Sequence, residues 1–221
     1  MGLLSEEIAE QVKEQFADLE GPVRVVMFTQ EFECEFCADT RQMVEEVAGL
    51  SDQVTAEIYD FVEDKDKAEE LGIDKIPAIA VIGAEDYGVR FYGIPAGYEF
   101  ASFLKAIEMV AKGAPELSED GLQALAQIEE PVHLQVFVTP TCPYCQSAVV
   151  LAHQMAIASP LVRADMVEAQ EFPHLATKYQ VMGVPRTVIN EAVHVEGAAP
   201  EPLMIEKVQE ALADVKEPEQ A

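Results

Sequence analysis

The sequence is poor in basic residues and has no long apolar run. Lys and Arg together number 14 against 41 Asp and Glu, which gives a net charge of -27 at pH 7. Because no Lys/Arg cluster is present to follow a phosphate backbone, nucleic acids and anionic membranes are poor candidate partners. No apolar stretch approaches the roughly 18 residues that a membrane-spanning helix needs. The sequence therefore argues against nucleic-acid-binding and membrane-spanning classes of protein.

Two further signals are missing from the sequence. The acidic segment 1–16 lacks the basic n-region and the apolar h-region of a secretory signal, so we expect a cytoplasmic location. In a reducing cytosol structural disulfides are disfavoured, so cysteines there are expected to be catalytic, redox-sensing or metal-binding. No glycine-rich nucleotide fingerprint occurs, so we expect no bound cofactor and no fused flavin or nicotinamide domain. Electrons must then be exchanged with another protein or a small thiol.

The cysteines that are present follow a strict pattern. All four lie in two Cys-x-x-Cys pairs, Cys34-Glu35-Phe36-Cys37 and Cys142-Pro143-Tyr144-Cys145. Each pair is followed by a hydrophobic-Pro dipeptide, and 43 residues separate the first cysteine from the proline in both cases, Pro77 and Pro185. This matched spacing indicates a duplicated redox unit that can cycle between dithiol and disulfide.

The duplication predicts the domain organisation. An offset of 108 residues superimposes the two cysteine pairs and the apolar positions that follow them. We expect two domains, 1–115 and 116–221, joined at 113–115. Each copy is predicted to be an α/β unit with the element order αβαβαββα and a mixed sheet that helices cover on both faces.

The element boundaries follow from periodicity and turn residues. The predicted helices are 5–19, 35–49, 64–71, 99–112, 118–128, 143–158, 171–180 and 201–214. The predicted strands are 23–28, 54–61, 77–82, 88–93, 132–138, 161–167, 185–190 and 193–197. The Glu/Pro-rich end from about 215 is expected to be a frayed tail.

These patterns resemble a known family. A strand, a Cys-x-x-Cys pair at a helix start and a distant hydrophobic-Pro dipeptide are similar to the thioredoxin fold, and residues 139–145 (TPTCPYC) resemble the glutaredoxin active site. Two copies in one chain resemble the glutaredoxin-like protein disulfide oxidoreductases of thermophilic archaea and bacteria. The resemblance implies two tandem thioredoxin-fold units, each a mixed central β-sheet flanked by helices, and an enzyme that forms, reduces or isomerises protein disulfides. It also implies that Pro77 and Pro185 are in the cis form.

The same resemblance implies the partners and shows one departure. The expected partners are protein disulfides or dithiols, with a thioredoxin-reductase-like protein or a small thiol as electron donor. Thioredoxins carry a buried Asp six residues before the first cysteine, where this chain has Phe28 and Val136. A thioredoxin-style buried carboxylate is therefore not expected at that position.

The chemistry of disulfide exchange assigns roles to the four cysteines. The attacking species is a thiolate, and unpaired N–H groups together with the dipole at a helix N-terminus stabilise that anion. Cys34 and Cys142 are therefore the predicted nucleophiles. Cys37 and Cys145, one turn later, are the predicted resolving thiols that attack the mixed disulfide from within the same turn.

Two further positions in each copy are predicted to bind substrate. In the resembled fold the residue before the cis-Pro offers its backbone to an extended partner chain, which points to Ile76 with Pro77 and to Val184 with Pro185. An ordinary trans-Pro at a strand start is the alternative. The aromatic residues inside the pairs, Phe36 and Tyr144, are predicted to pack beside the sulfurs and contact substrate, with packing on the helix face as the alternative.

The two sites are expected to differ in charge. Three carboxylates surround the first pair, at Glu31, Glu33 and Glu35, whereas uncharged residues, Pro143 among them, surround the second. Negative charge opposes a thiolate, so we expect a higher thiol pKa for Cys34 than for Cys142. A stabilised thiolate favours the reduced form, which would make the Cys142 site the stronger oxidant.

Other interpretations of the cysteines remain open from sequence. A dedicated electron-transfer partner of a peroxidase or other reductase system is the first, similar to the duplicated thioredoxin-fold arm of alkyl hydroperoxide reductase flavoproteins. Those arms keep one functional cysteine pair, so two intact pairs favour the enzyme. Zinc binding by all four cysteines is disfavoured by the 104 residues between the pairs, and an iron–sulfur cluster between chains is equally disfavoured, so we expect no metal. The four histidines share no offset to the cysteines and are expected to be surface or packing residues.

Overall fold

A computed structural model describes residues 2–216 of the chain. Its elements in chain order are α1 (Glu6–Phe16), β1 (Val23–Thr29), α2 (Cys37–Ala48), β2 (Val54–Asp60), α3 (Lys65–Glu70), β3 (Ala78–Ile82), β4 (Val89–Tyr92), α4 (Tyr98–Lys112), α5 (Glu119–Ala126), β5 (Val132–Val138), α6 (Cys145–Ala158), β6 (Val162–Glu168), α7 (Pro173–Lys178), β7 (Arg186–Ile189), β8 (Val193–Glu196) and α8 (Glu201–Lys216). The predicted order αβαβαββα occurs twice, in α1–α4 and in α5–α8, which we call the N-terminal unit and the C-terminal unit. The expected frayed tail falls, beyond residue 216, outside the described residues.

All eight strands form one continuous sheet in the order β2-β1-β3-β4-β6-β5-β7-β8. Within each unit a parallel pair is connected through a helix, and a hairpin adds two antiparallel strands, so the predicted mixed topology is confirmed. The junction between the units was not predicted. Val89–Tyr92 of β4 pairs in parallel with Ala164–Val167 of β6, and this pairing joins two four-stranded sheets into one.

Helices cover both faces of this sheet. Six helices pack on one face around a core that runs through both units, and the shorter helices α3 and α7 cover the other face. Because β3 is covered on both faces, its five residues Ala78–Ile82 are all buried and all apolar. Phe91 of β4 links the units within the larger core, since its ring packs against Phe103 of α4 and His153 of α6. No helix among residues 2–216 combines the length and apolar character needed to cross a membrane.

The helices that follow the cysteine pairs start later than predicted. They begin at Cys37 and Cys145, two residues after the expected starts at 35 and 143. The backbone N–H of Thr40 donates to the carbonyl of Phe36, which makes Phe36 the N-cap of α2. The first cysteine of each pair therefore lies in the turn that leads into the helix, and the second cysteine is the first helical residue. Helix α1 also ends earlier than predicted, at Phe16.

Candidate redox-active sites

The sheet topology brings the first cysteine pair and Pro77 to one edge of the sheet. Strands β1 and β3 are antiparallel neighbours, and Phe28 lies opposite Ala78. Because β1 leads toward Cys34 and Pro77 immediately precedes β3, both are at the same end of this strand pair. Cys34 and Cys37 are joined in a disulfide with their Cα atoms 5.5 Å apart. The Ile76-Pro77 peptide bond is cis.

The second cysteine pair has the same arrangement. Strands β5 and β7 are antiparallel neighbours with Phe137 opposite Arg186, so the end of β5 meets the start of β7. Cys142 and Cys145 form a disulfide, again with their Cα atoms 5.5 Å apart, and the Val184-Pro185 peptide bond is cis. Both prolines thus have the isomer that the resemblance implied.

The two cysteines of each pair differ in accessibility. Cys34 is half-buried while Cys37 is buried, and Cys142 is 7% exposed while Cys145 has no exposed surface. A partner molecule therefore reaches the first cysteine of each pair more readily than the second. The Cys34 site is the more open of the two.

A glycine in each unit binds the carbonyl of the cis-proline. The N–H of Gly93 donates to the carbonyl of Pro77 at 3.0 Å, and the N–H of Gly197 donates to the carbonyl of Pro185 at 2.8 Å. Both glycines have a positive φ, 89° and 77°, which disfavours a side chain. Sequence reasoning did not identify these residues, and their spacing gave no signal, since Gly93 follows Pro77 by 16 residues and Gly197 follows Pro185 by 12.

The aromatic residues inside the pairs are placed differently. The carbonyl of Phe36 accepts hydrogen bonds from the backbone and the hydroxyl of Thr40, while the carbonyl of Tyr144 accepts one from the hydroxyl of Ser147. The Phe36 side chain is half-buried, whereas Tyr144 is largely exposed. Tyr144 is therefore the more accessible to a partner.

The charge difference between the sites is present in the structure. Glu31, Glu33 and Glu35 are all exposed on the turn around Cys34. A cleft of about 890 Å³ opens beside Cys34 and includes Glu31 and Glu33 in its lining. Pro143 is exposed next to Cys142, in a turn without charged side chains.

A buried carboxyl group that sequence reasoning missed lies near the second site. Glu99, in the first turn of α4, is 1% exposed and accepts a hydrogen bond from the Ser102 hydroxyl at 2.7 Å. Burial raises the pKa of Glu99 to about 7, against the effect of that hydrogen bond. The preceding residue, Tyr98, donates its N–H to the carbonyl of Pro140 in the turn before Cys142. Glu99 therefore lies one residue from the contact that the N-terminal unit makes with the loop of the C-terminal cysteine pair, and the sequence holds no signal for that contact.

A second carboxyl group, which is half-buried, reaches from the C-terminal unit to the N-terminal unit. Glu171 of the C-terminal unit accepts a hydrogen bond from the N–H of Ile94, directly after Gly93, at 2.7 Å. Burial, together with the nearby charges of Glu168 and Glu35, raises the pKa of Glu171 to about 7, against the effect of the Ile94 hydrogen bond. Each unit thus contributes a carboxyl group to the surroundings of the other unit's site.

The structure offers little for a metal ion. Within residues 2–216 no group of three or more His, Cys, Asp or Glu side chains is arranged to hold one. Two histidines have packing roles: His133 binds the carboxylate of Asp165 at 2.6 Å, and His153 is fully buried against Phe91.

Comparison with known proteins connects these sites to a family. A thioredoxin domain model matches residues 132–210. The structure is similar to that of a protein disulfide oxidoreductase from Aeropyrum pernix K1, with a TM-score of 0.89 and 30% identity over 95% of this chain and 94% of that one. It is also similar to the N-terminal domain of the alkyl hydroperoxide reductase AhpF from Enterococcus faecalis V583, with a TM-score of 0.85 and 25% identity over 93% of this chain and 99% of that one.

Curated relatives are longer proteins. An alkyl hydroperoxide reductase protein of Staphylococcus epidermidis is 24% identical over 184 residues, which cover 79% of this chain and 34% of the relative. The chain spans between 27% and 34% of the length of the first curated relatives that it matches. The likeness to the Aeropyrum protein, in contrast, reaches 30% identity over nearly the full length of both chains, and both cysteine pairs are at disulfide distance. The chain therefore belongs to the protein disulfide oxidoreductases, with two thioredoxin-fold units and two Cys-x-x-Cys redox centres.

Proposed function

We propose that this protein catalyses dithiol–disulfide exchange on protein substrates at both cysteine pairs, forming, reducing or isomerising their disulfides. The observation that carries the proposal is the repeated geometry of a disulfide-forming pair, with its first cysteine the more accessible, at the same sheet edge as a cis-proline. In reduction, the thiolate of Cys34 or Cys142 attacks a substrate disulfide and forms a mixed disulfide, and one substrate sulfur leaves as a thiolate. Cys37 or Cys145 then loses its proton and attacks the mixed disulfide, which releases the reduced substrate.

The residues before the cis-prolines are proposed to hold the substrate. Ile76 and Val184 are half-buried and lie just outside strands β3 and β7, which supports a role for their backbone groups in pairing with an extended partner. Phe36 and Tyr144 are proposed to pack beside the sulfurs and to contact the substrate. Of the two, the exposure of Tyr144 supports the role more strongly.

We also propose an electron donor and a cytoplasmic location. Each cycle of substrate reduction leaves a disulfide in the protein, so a donor must restore the dithiol. A thioredoxin-reductase-like protein or a small thiol in the cytoplasm would supply those two electrons.

A second candidate function is electron transfer to a peroxidase or to another reductase system. The likeness to the N-terminal domain of an alkyl hydroperoxide reductase protein favours it. Under this alternative one cysteine pair would carry all electron flow and general protein disulfides would be poor substrates. The two intact disulfides support the first function over this one.

The test is to measure insulin reduction and the refolding of a scrambled disulfide protein with site-specific variants. Cys34→Ser/Cys37→Ser leaves the second site and Cys142→Ser/Cys145→Ser leaves the first, so each site is measured alone. We expect both double variants to retain part of the activity and the quadruple variant to have none. Full activity in the quadruple variant would overturn the proposal, and activity confined to one site with a peroxidase as the only acceptor would favour electron transfer.

A further inference from the structure

The cleft beside Cys34 has an apolar floor and two exposed apolar side chains at its mouth. Ile58 and Tyr59 of β2 line it, and Phe32 and Val62, which also line it, are 77% and 70% exposed. Large apolar side chains that share a cleft next to a reactive group commonly mark a contact surface, since burying them in a complex is favourable.

Both exposed side chains are carried on turns that hydrogen bonds hold in place. The side-chain amide of Gln30 donates to the carbonyl of Phe32. The carboxylate of Asp60 accepts hydrogen bonds from the N–H groups of Val62 and Glu63, at 2.8 and 2.9 Å. The two turns leave the ends of the paired strands β1 and β2, where Thr29 lies beside Asp60. The mouth of the cleft is therefore formed before a partner arrives.

The charge around this cleft is negative. Glu31, Glu33 and Glu63 line it and are exposed, and Asp60 adds a fourth carboxylate. The basic residue of the lining, Arg41, is paired with Glu45 at 2.8 Å. A cationic ligand next to Cys34 would therefore be attracted and an anionic one repelled.

The corresponding turn of the C-terminal unit is covered. At the position that matches Phe32 in the repeat stands Pro140, whose carbonyl accepts the N–H of Tyr98 at 3.0 Å. A Cβ on Gly97 would meet that same carbonyl, so α4 lies directly against this turn. The turn around Cys142 carries no charged side chain, and Tyr144 is exposed in it. A smaller cleft of about 440 Å³ includes Pro143 but not Cys142 in its lining, and its one charged lining residue, Lys105, lies 3.6 Å from Glu108. The second site therefore lacks the carboxylates, and this cleft does not reach its first cysteine.

We propose that the Cys34 cleft selects disulfides flanked by cationic and apolar residues, and disfavours anionic disulfides, whereas the Cys142 site does not discriminate by charge. The proposal rests on the proposed function and names the substrate class of one of its two sites. In the selected reaction the Cys34 thiolate bonds to a substrate sulfur, the substrate S–S bond breaks, and the departing sulfur takes up a proton. Cys37 then gives up its proton and bonds to Cys34, the bond between Cys34 and the substrate breaks, and the second substrate sulfur leaves and takes up a proton. The substrate thereby gains two electrons and the protein pair loses two.

The test uses two synthetic disulfide peptides that differ in charge. Both carry a leucine beside the cystine, one is flanked by lysines and the other by glutamates, and each is reduced in a single turnover by excess prereduced protein. In Cys142→Ser/Cys145→Ser, which keeps the Cys34 site, we expect the lysine peptide to react at least about tenfold faster at low salt. We expect this ratio to fall toward one at high salt, because mobile ions screen exposed charges.

The Cys142 site in Cys34→Ser/Cys37→Ser is the matched control. The net charge of -27 attracts cations to the whole protein, so a general field effect would give the same ratio at both sites. In the chain that keeps the Cys34 site, Glu31→Gln/Glu33→Gln/Glu63→Gln should remove most of the preference, and Glu129→Gln/Glu130→Gln, on exposed residues outside the cleft, should retain it. Phe32→Ala/Val62→Ala should slow both peptides several-fold and leave their ratio unchanged.

The outcomes separate this proposal from the function on which it rests. Equal ratios at both sites, or a ratio at the Cys34 site that the three glutamine substitutions leave unchanged, would overturn the charge selection while disulfide reduction stands. Failure of both sites to reduce either peptide would contradict the proposed function itself.

Discussion

At the scale of single residues, the two cysteine pairs share their geometry and differ in their neighbours. Cys34 is half-buried among three exposed glutamates, and Cys142 is buried in a turn without charge. Water screens the electrostatic effect of each exposed carboxylate on the sulfur. All three carboxylates, however, raise the thiol pKa, so their effects add. The difference in thiol acidity that the sequence predicts therefore depends on the glutamates rather than on the shared fold.

Neutralising these glutamates should lower the thiol pKa of Cys34. A carboxylate about 6 Å away opposes a thiolate by roughly 0.7 kcal/mol in water, or about half a pKa unit. We expect the pKa of Cys34 to lie above that of Cys142, and to fall by about one unit in Glu31→Gln/Glu33→Gln/Glu35→Gln. Ultraviolet absorbance of the thiolate in variants that keep one cysteine pair measures both values. Equal pKa values, or the reverse order, would contradict this expectation and with it the stronger oxidising character of the Cys142 site.

Glu99 should make the protein less stable as the pH rises. Its pKa is raised from 4.5 to about 7 in the folded state, so between these values the folded chain keeps a proton that the unfolded chain releases. The contribution of the protonated Glu99 carboxyl to the stability of the folded state is present in full below about pH 4.5. It is lost as the pH rises through 7. Glu99→Gln should therefore be more stable than the wild type at pH 8, by on the order of 3 kcal/mol, and the difference should vanish near pH 4.

Denaturant unfolding at both pH values measures this difference. Glu10→Gln, on an exposed position of α1, is the control and should change little at either pH. His153, whose pKa burial lowers to about 4, titrates alike in all three proteins, so it does not affect the comparison. A Glu99→Gln protein less stable than the wild type at pH 8 would show that the ionised carboxylate is stabilising.

At the scale of elements, the loops after β4 and β8 make the same hydrogen bond to a cis-proline but differ in what packs against them. Gly93 and Gly197 both donate to a cis-proline carbonyl and both have a positive φ. A Cβ on Gly93 would meet the Cβ of Glu168 at 2.6 Å and the carboxylate of Glu171 at 2.8 Å, whereas a Cβ on Gly197 would meet nothing within 4 Å. The first loop is therefore packed against the other unit, and the second is open.

Alanine variants of these two glycines separate the stability cost of backbone strain from the cost of disturbing the contact between the units. Gly197→Ala should cost about 1 kcal/mol of stability from its left-handed backbone alone. Gly93→Ala carries the same backbone cost and must also displace Glu168 or Glu171, so we expect a total of about 2 to 4 kcal/mol. Unfolding free energies of the two variants give the difference directly. Equal losses of unfolding free energy in the two variants would show that the Glu171 side chain moves away from position 93 at no cost.

At the scale of the whole molecule, the two units behave as one folded body because their sheet and larger core are continuous. Arg163 of β6 lies at this junction: it donates to the carboxylate of Asp165 at 2.9 Å, to the carbonyl of Gly72 at 2.8 Å and to the Tyr92 hydroxyl. Burial opposes the charge of Asp165, but the hydrogen bond from His133 and the charge of Arg163 hold the pKa of Asp165 below its usual range. We propose the domain boundary at 115/116, between α4 and α5, although the strand pairing at β4 and β6 couples the two sides.

Removing the Arg163 charge should weaken the coupling between the units. Arg163→Met leaves Asp165 buried with His133 as its remaining partner and breaks the contacts to Gly72 and Tyr92, so we expect a loss of about 2 to 4 kcal/mol. Calorimetry should show one transition in the wild type and a lower, broadened or divided transition in the variant. Arg24→Met is the control, because Arg24 forms a half-exposed pair with Glu57 within the N-terminal unit and should cost less than about 1 kcal/mol. Identical effects of the two substitutions would mean that the junction network adds no coupling.

The sequence by itself determined what depends on local pattern and on the repeat. The spacing of Cys34 and Cys142 to their prolines identified both redox centres, and the alternation of apolar runs predicted the order of elements in each unit. These features are readable because a disulfide-forming pair, an amphipathic helix and a buried strand are each encoded by residues close in the chain. The starts of the two helices that follow the cysteine pairs were predicted two residues too early, because the first hydrogen bond of a helix depends on geometry within a turn.

Only the tertiary structure decided how the two units meet. Strand β4 pairs with β6, α4 lies against Pro140, and Glu171 contacts Ile94; each of these contacts joins residues that are far apart in the sequence. Such contacts leave no periodic signal, because a glutamate on a predicted helix or turn is expected to be solvent-exposed until a neighbouring element covers it. In the same way the sequence showed that the Cys34 site is acidic, and only the fold placed a cleft of about 890 Å³ against its first cysteine.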